Sequence, residues 1–230
     1  MRFFWRDVEG LSVENRFSDN ALGYPAWRAL VERLYNVPPD APSDSWASLF
    51  DSFIGDISRE FGPGSSSRAK TCCLFISHRM SDVNNALHIA WLATQVGYDY
   101  WLDIHNPTLI AASGSSLPSP AKDILLAAII EIALLNATHV IALHTKHSLG
   151  SKWIPYELGR AKARLVQSDQ AAGWFDRHTP PSTCGEYVYL ARQLGPLDIQ
   201  NWLTSTNQYR CSPTATKNWP YGDHPPPLDP

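Results

Sequence analysis

Apolar positions along the chain follow two different periods. In the first sixty residues the period is helical. Trp27, Leu30, Val31 and Leu34 share one helix face, and Pro38-Pro39 ends that helix. Trp46, Leu49, Phe50, Phe53, Ile57 and Phe61 form a wide stripe on a second helix that starts near Ser45. The stripe needs a partner surface, either a following domain or another copy of itself. Asp44, Asp51, Asp56 and Glu60 oppose an anionic membrane surface, because interfacial helices carry a basic polar face. Residues 1–24 show no clear period, and Gly62-Pro63-Gly64-Ser65-Ser66-Ser67 reads as a hinge-like linker.

Beyond about Lys70 short apolar runs alternate with helical patterns. Cys72–Ser77 suits a strand buried on both faces. Ser81 or Asp82 can cap a helix over Val83–Val96, which stops at Gly97. Tyr98–Leu102 reads as a second strand and Asp103–Ser119 as a long loop rich in Pro, Gly and Ser. A helix over Pro120–Leu135 is apolar nearly all round and so is largely buried, in the core or at a protomer contact. His139–Leu143 is a third strand, His144–Gly150 a loop, and Ser151 the cap of a helix to about Val166. After Gln167 the pattern weakens. Glu186–Leu190 suggests a fourth strand and Ile199–Leu203 a short helix. The tail from Ser212 is rich in Pro and lacks an apolar period.

Strand alternating with helix predicts an α/β fold, a parallel sheet flanked by helices. Ligands of such sheets sit beyond the carboxyl ends of the strands, where Ser77, Asp103, His144 and the start of the Glu157 helix all fall.

Composition narrows the function classes. The net charge of −3 supplies no strong field for nucleic acid, and no basic stripe or motif supports that partner. The start Met1-Arg2-Phe3-Phe4-Trp5-Arg6-Asp7 lacks a secretory apolar run, and Ile124–Leu135 is too short to span a bilayer, so a cytoplasmic protein without a membrane segment is expected. Of the four cysteines, Cys72 and Cys73 point to opposite faces of one strand and cannot easily pair with each other. Buried or idle thiols in a reducing compartment are the expectation for the set. His139, His144 and His147 lack ligand-like spacing to a Cys or carboxylate, so no metal site is expected. No phosphate-loop pattern and no Gly-x-Ser-x-Gly or Cys-x-x-Cys motif occurs.

Three segments in order then carry a resemblance. These are Cys72-Cys73-Leu74-Phe75-Ile76-Ser77-His78-Arg79, Gly97-Tyr98-Asp99-Tyr100-Trp101-Leu102-Asp103, and Ser151-Lys152-Trp153-Ile154-Pro155-Tyr156-Glu157-Leu158. Together they resemble the TIR (Toll/interleukin-1 receptor) domain of the prokaryotic NAD-cleaving type. The resemblance implies a flavodoxin-like domain over residues 70–203, an N-terminal helical extension over 1–64 and an irregular Pro-rich tail over 204–230. It also implies that Glu157 is the catalytic residue of an NAD glycohydrolase or ADP-ribosyl cyclase, with NAD as substrate and no cofactor. Phe75, Ser77 and Arg79 lie at the edge that contacts substrate in that family, and Trp101 and Asp103 in the region that completes a neighbour's pocket; Trp153, on the helix face of Glu157, and Tyr156, just before it, join them as substrate-binding candidates by position. TIR–TIR self-association is the implied assembly. Small stand-alone members resemble sensors of antiphage defence systems such as Thoeris, which pass a nucleotide product to a separate effector.

The chemistry is physically reasonable beside that resemblance. Breaking the bond between ribose and nicotinamide builds positive charge on the sugar, and a carboxylate held against the ribose stabilises it. Nicotinamide leaves as a good neutral group, so no strong general acid is needed. Each residue also has a plainer reading. Glu157 can be a solvated glutamate in the first turns of a helix, favoured by the dipole. Trp153 and Phe75 can be core, Arg79 a solvated charge, and Asp103 the cap of a turn. Two rival functions stand beside the NAD reading, a non-catalytic TIR adaptor and a nucleoside deoxyribosyltransferase-like enzyme that would use Glu157 as a covalent nucleophile.

Overall fold

The computed structural model describes residues 22–34, 36–38, 40–61, 72–164, 168–195, 197–206, 219 and 225–228. It divides into two compact units, Met1–Arg68 with Asp103–Asn136, and Ala69–Leu102 with Ala137–Pro230. The segment 103–136, expected inside the central domain, falls with the N-terminal helices.

The first unit is helical. Helix α1 (Tyr24–Leu34) buries Ala26, Trp27, Leu30, Val31 and Leu34, the face expected from its spacing. Helix α2 (Ser43–Phe61) packs on it and buries Trp46, Leu49, Phe53 and Ile57. Asp103–His105 forms a 3-10 turn, and helix α4 (Pro107–Gly114) follows. A continuous loop over 103–119 was expected, and the helix corrects it. The Asn106 side chain accepts from the Leu109 N–H at 2.9 Å, and Pro sits in the first turn, where its missing donor costs nothing. Helix α5 (Ser119–Asn136) packs against α1, α2 and α4 and buries Ile124, Leu125, Ile129, Ile132, Leu134 and Leu135 among others, which explains its apolar circumference.

The second unit is a five-stranded sheet of β1 (Cys73–Ser77), β2 (Asp99–Trp101), β3 (His139–His144), β4 (Ala171–Phe175) and β5 (Arg192–Leu194), every neighbouring pair parallel. The order β2-β1-β3-β4-β5 is that of a flavodoxin-like α/β fold. Helix α3 (Val83–Gln95) packs on β1 and β2, and α6 (Trp153–Arg164) on β1, β3 and β4. Helix α7 (Ile199–Thr206) packs on α3. Gly97 ends the first of these as expected. Its φ of 82° is the left-handed conformation that glycine adopts without cost, and it lets the Tyr98 N–H reach the Ala93 carbonyl at 2.9 Å.

Registered neighbours in a parallel sheet share a face. Leu74, His139, Ile141 and Leu143 lie on one side, where the His139 ring meets Tyr98 at 5.0 Å and Trp202 of α7 at 5.8 Å between centroids. Phe75, Ser77, Ala142 and His144 lie on the other, where Ser77 meets α6. Chain leaving β1 therefore turns to one face and chain leaving β3 to the opposite face. The crevice between those strands is the switch point at which doubly wound sheets bind ligands.

Two expectations for the C-terminal half change. Glu186–Leu190 is a 3-10 turn and not a strand. The fourth strand is Ala171–Phe175, whose small residues gave no strand signal. The short helix near Ile199 is present and extends to Thr206. Cys72 is disulfide-bonded, which corrects the expectation of idle thiols and removes that support for a reducing compartment. Cys73 and Cys184 are free. The hinge over Gly62–Ser67 and most of the Pro-rich tail lie outside the described residues. Among those described, no helix is long and apolar enough to cross a membrane.

Candidate functional site

The carboxyl edge of the sheet carries Ser77, His144 and the helix of Glu157, but not Asp103, which falls in the first unit. Ser77 is the last residue of β1 and is buried. Glu157 stands in the second turn of α6, a helix whose Ile154 N–H reaches Ser151 Oγ at 3.3 Å. The Glu157 side chain enters the protein instead of facing solvent and is only 7% exposed. Ser77 Oγ donates a hydrogen bond to Glu157 Oε2. A helical glutamate in water needs no such partner. A buried carboxylate does, because loss of hydration is offset only by hydrogen bonds or charge. The plainer reading of Glu157 as a solvated glutamate near the helix start is therefore not what the fold presents.

Trp153 and Tyr156 stand at the opening of the same helix, 46% and 41% exposed, with their rings edge to face at 5.8 Å. Trp153 is thus no core anchor. Its ring is partly exposed one helical turn before Glu157. Phe75 is fully buried and stacks on Trp101, centroids 4.5 Å apart and planes within 7°. Phe75 is therefore core, its ring covered by that of Trp101. Trp101 is half-buried, and its Nε1–H is buried without a hydrogen-bond partner among the described residues. Arg79 is exposed in the turn after β1. Asp103 belongs to the first unit, where its Oδ1 accepts from the Ile104 N–H at 2.6 Å and so closes its own turn.

Two histidines of β3 face opposite sides, as their odd spacing requires. His139 is hydrogen-bonded to Thr138 Oγ1 at 3.0 Å, and burial lowers its pKa to about 4, an effect that Asp169 partly opposes. His144 closes the strand on the Glu157 face. Its ring lies on Phe175 at 4.7 Å and beside Tyr187 at 5.8 Å, and burial alone lowers its pKa to about 4. Neither of its ring nitrogens has a hydrogen-bond partner among the described residues. A Cβ on Gly173 would stand 3.0 Å from His144 Cδ2, so the ring requires glycine beside it. Among the described residues no group of three or more His, Cys, Asp and Glu side chains could hold a metal ion.

Asp82 was a cap candidate for α3 but makes no side-chain cap bond. Its carboxylate turns instead to the loop after β3. Oδ2 accepts from Thr145 Oγ1 at 2.9 Å, and Oδ1 faces His147 Nδ1 at 2.8 Å. Neither Asp82 nor Thr145 was singled out as functional from sequence, since a contact across 63 residues leaves no local signal.

No protein-family model, curated protein or solved structure matches the chain.

Proposed function

We propose that the chain cleaves the bond between ribose and nicotinamide in NAD, with Glu157 as the catalytic carboxylate, and forms ADP-ribose or a cyclic ADP-ribose-type messenger. The observation that carries this reading is the hydrogen bond from Ser77 to the buried Glu157 carboxylate at the carboxyl edge of a parallel sheet. Heterolysis of the glycosidic bond leaves positive charge on C1′ and the ring oxygen. A carboxylate fixed in a poorly hydrated setting stabilises that charge without reorganising as it forms. The Ser77 bond limits rotation of the carboxylate. The exposed Trp153–Tyr156 pair supplies ring surface for a nicotinamide or adenine. Arg79, in the turn after β1, is a cation for the diphosphate.

Met80, Leu149, Trp153 and Tyr156 are exposed large apolar side chains on the segments that follow β1 and β3. They support self-association at this edge, and with it a role in immune signalling through a downstream effector of the nucleotide product. The test is chromatography of products after incubation of purified protein with NAD, beside Glu157→Gln. Nicotinamide release that disappears in the variant is expected. Release that persists removes the assignment of Glu157. No release from wild type at high protein concentration favours the non-catalytic adaptor.

A further inference from the structure

The diverted carboxylate of Asp82 sits where chain leaving β1 and chain leaving β3 part to opposite faces. Asp82 ends the turn after β1, and Thr145 to Ser148 begins the loop after β3. The histidine between them is fixed at two points. Its backbone N–H donates to Thr145 Oγ1 at 3.0 Å, and its Nδ1 meets Asp82 Oδ1 at 2.8 Å. The loop is itself closed by Ser148, whose Oγ accepts from the Thr145 N–H at 3.0 Å and donates to the Thr145 carbonyl at 2.8 Å.

Accessibility divides the pair sharply. The Asp82 side chain is 3% exposed and that of His147 is 43% exposed. A carboxylate can only accept, so Nδ1 carries the proton in this pair and the neutral ring has its lone pair on Nε2. That nitrogen makes no hydrogen bond among the described residues. A buried carboxylate behind Nδ1 of a partly exposed ring fixes the tautomer and orientation of a proton acceptor, and stabilises the imidazolium once it forms. The pairing also draws the Asp82 carboxylate away from the helix end that it could cap.

We propose that His147 is the proton acceptor for the water that captures the ribosyl cation, with Asp82 as its positioning residue. This rests on the reading of Glu157 given above and adds the second half of the reaction to it. The bond from C1′ to the nicotinamide nitrogen breaks, and its electron pair leaves with neutral nicotinamide. The water oxygen bonds to C1′ and its proton passes to His147 Nε2, from which solvent later removes it. Without the acceptor, the cation returns to nicotinamide more often.

The experiment measures two quantities in one reaction, net hydrolysis of NAD and incorporation of labelled nicotinamide into NAD. Wild-type protein is compared with His147→Gln, His147→Asn and Asp82→Asn, each verified as folded by its melting curve. His147→Asn retains a donor near the position of Nδ1 and guards against loss of the loop. The His147 variants are expected to lose hydrolysis at least tenfold while exchange persists, so the exchange-to-hydrolysis ratio rises by a similar factor. Asp82→Asn is expected to move the ratio in the same direction and to add nothing to His147→Gln. Imidazole added to His147→Ala is expected to restore hydrolysis. An unchanged ratio in folded His147 variants overturns the proposal while leaving Glu157 in place. Absence of both exchange and hydrolysis in wild type removes the Glu157 reading itself, and this step with it.

Discussion

Ser77 and Glu157 are 80 residues apart in the chain and meet through one hydrogen bond from hydroxyl to carboxylate. The contact joins the end of the first strand of the sheet to the helix after the third. Ser77→Ala removes a donor to a buried charged group, an effect of about 1.5–3 kcal/mol. If the bond persists in the transition state, nicotinamide release falls roughly ten- to hundredfold, against its loss in Glu157→Gln. Initial rates at saturating NAD check this. An unchanged rate in Ser77→Ala would mean that the hydroxyl only fills space.

The two buried histidines of β3 make stability depend on acidity. Burial holds both near a pKa of about 4, whereas an unfolded histidine titrates near 6.5. As pH falls through 6.5 the unfolded chain takes up protons that the folded chain refuses. The contribution of the neutral rings is complete above 6.5 and is lost progressively down to about 4. Urea midpoints between pH 7.5 and pH 4.5 are expected to fall. His144→Phe is expected to flatten the curve, because it removes one titrating group whose nitrogens make no hydrogen bond among the described residues.

Much of this architecture was legible in local pattern. The runs at Cys72–Ser77 and His139–Leu143 are apolar because both faces of those strands are covered, and Gly97 and Ser151 mark helix ends by the chemistry of their positions. The fourth strand escaped because Ala171-Ala172-Gly173 is chosen for space, with glycine beside the His144 ring. Glu186–Leu190 misled in the opposite sense. Its aromatic and branched residues alternate as in a strand, but Tyr187 turns toward His144 while Tyr189 and Leu190 remain exposed. At the site, Glu157 and Ser77 stood out through motif and strand end. Asp82 did not, because its role depends on a loop 63 residues away.

The helix missed inside 103–119 offers a local test. Asn106 satisfies one of the donors at the start of α4 and is followed by Pro107. Asn106→Ala is expected to cost about 0.5–2 kcal/mol, and Asn106→Asp to cost little because aspartate caps equally well. Amide hydrogen exchange at Leu109 and Ile110 reads the effect directly. Equal protection in all three proteins would show that packing against α5 alone holds the helix.

The first unit predicts what its N-terminal helices are for. Helix α5 is apolar on nearly every face, and α1 and α2 cover part of it. Trp27 and Phe53 are fully buried in that packing. Gly23, at φ 82°, brings the chain so close that a Cβ would stand 2.8 Å from Leu135 Cδ2. Leu22 is tied to Asn136 in both directions, its N–H at 3.0 Å and its carbonyl at 2.9 Å. Deletion through residue 65 would therefore uncover apolar surface instead of releasing an independent module. The truncated protein is expected to bind a hydrophobic dye and to associate on size exclusion. Trp27→Ala, at about 3–5 kcal/mol, should move the full-length protein in the same direction. A truncation that associated no more than the full-length protein and bound no dye would show that α5 finds its cover elsewhere, and that α1 and α2 are dispensable to the fold.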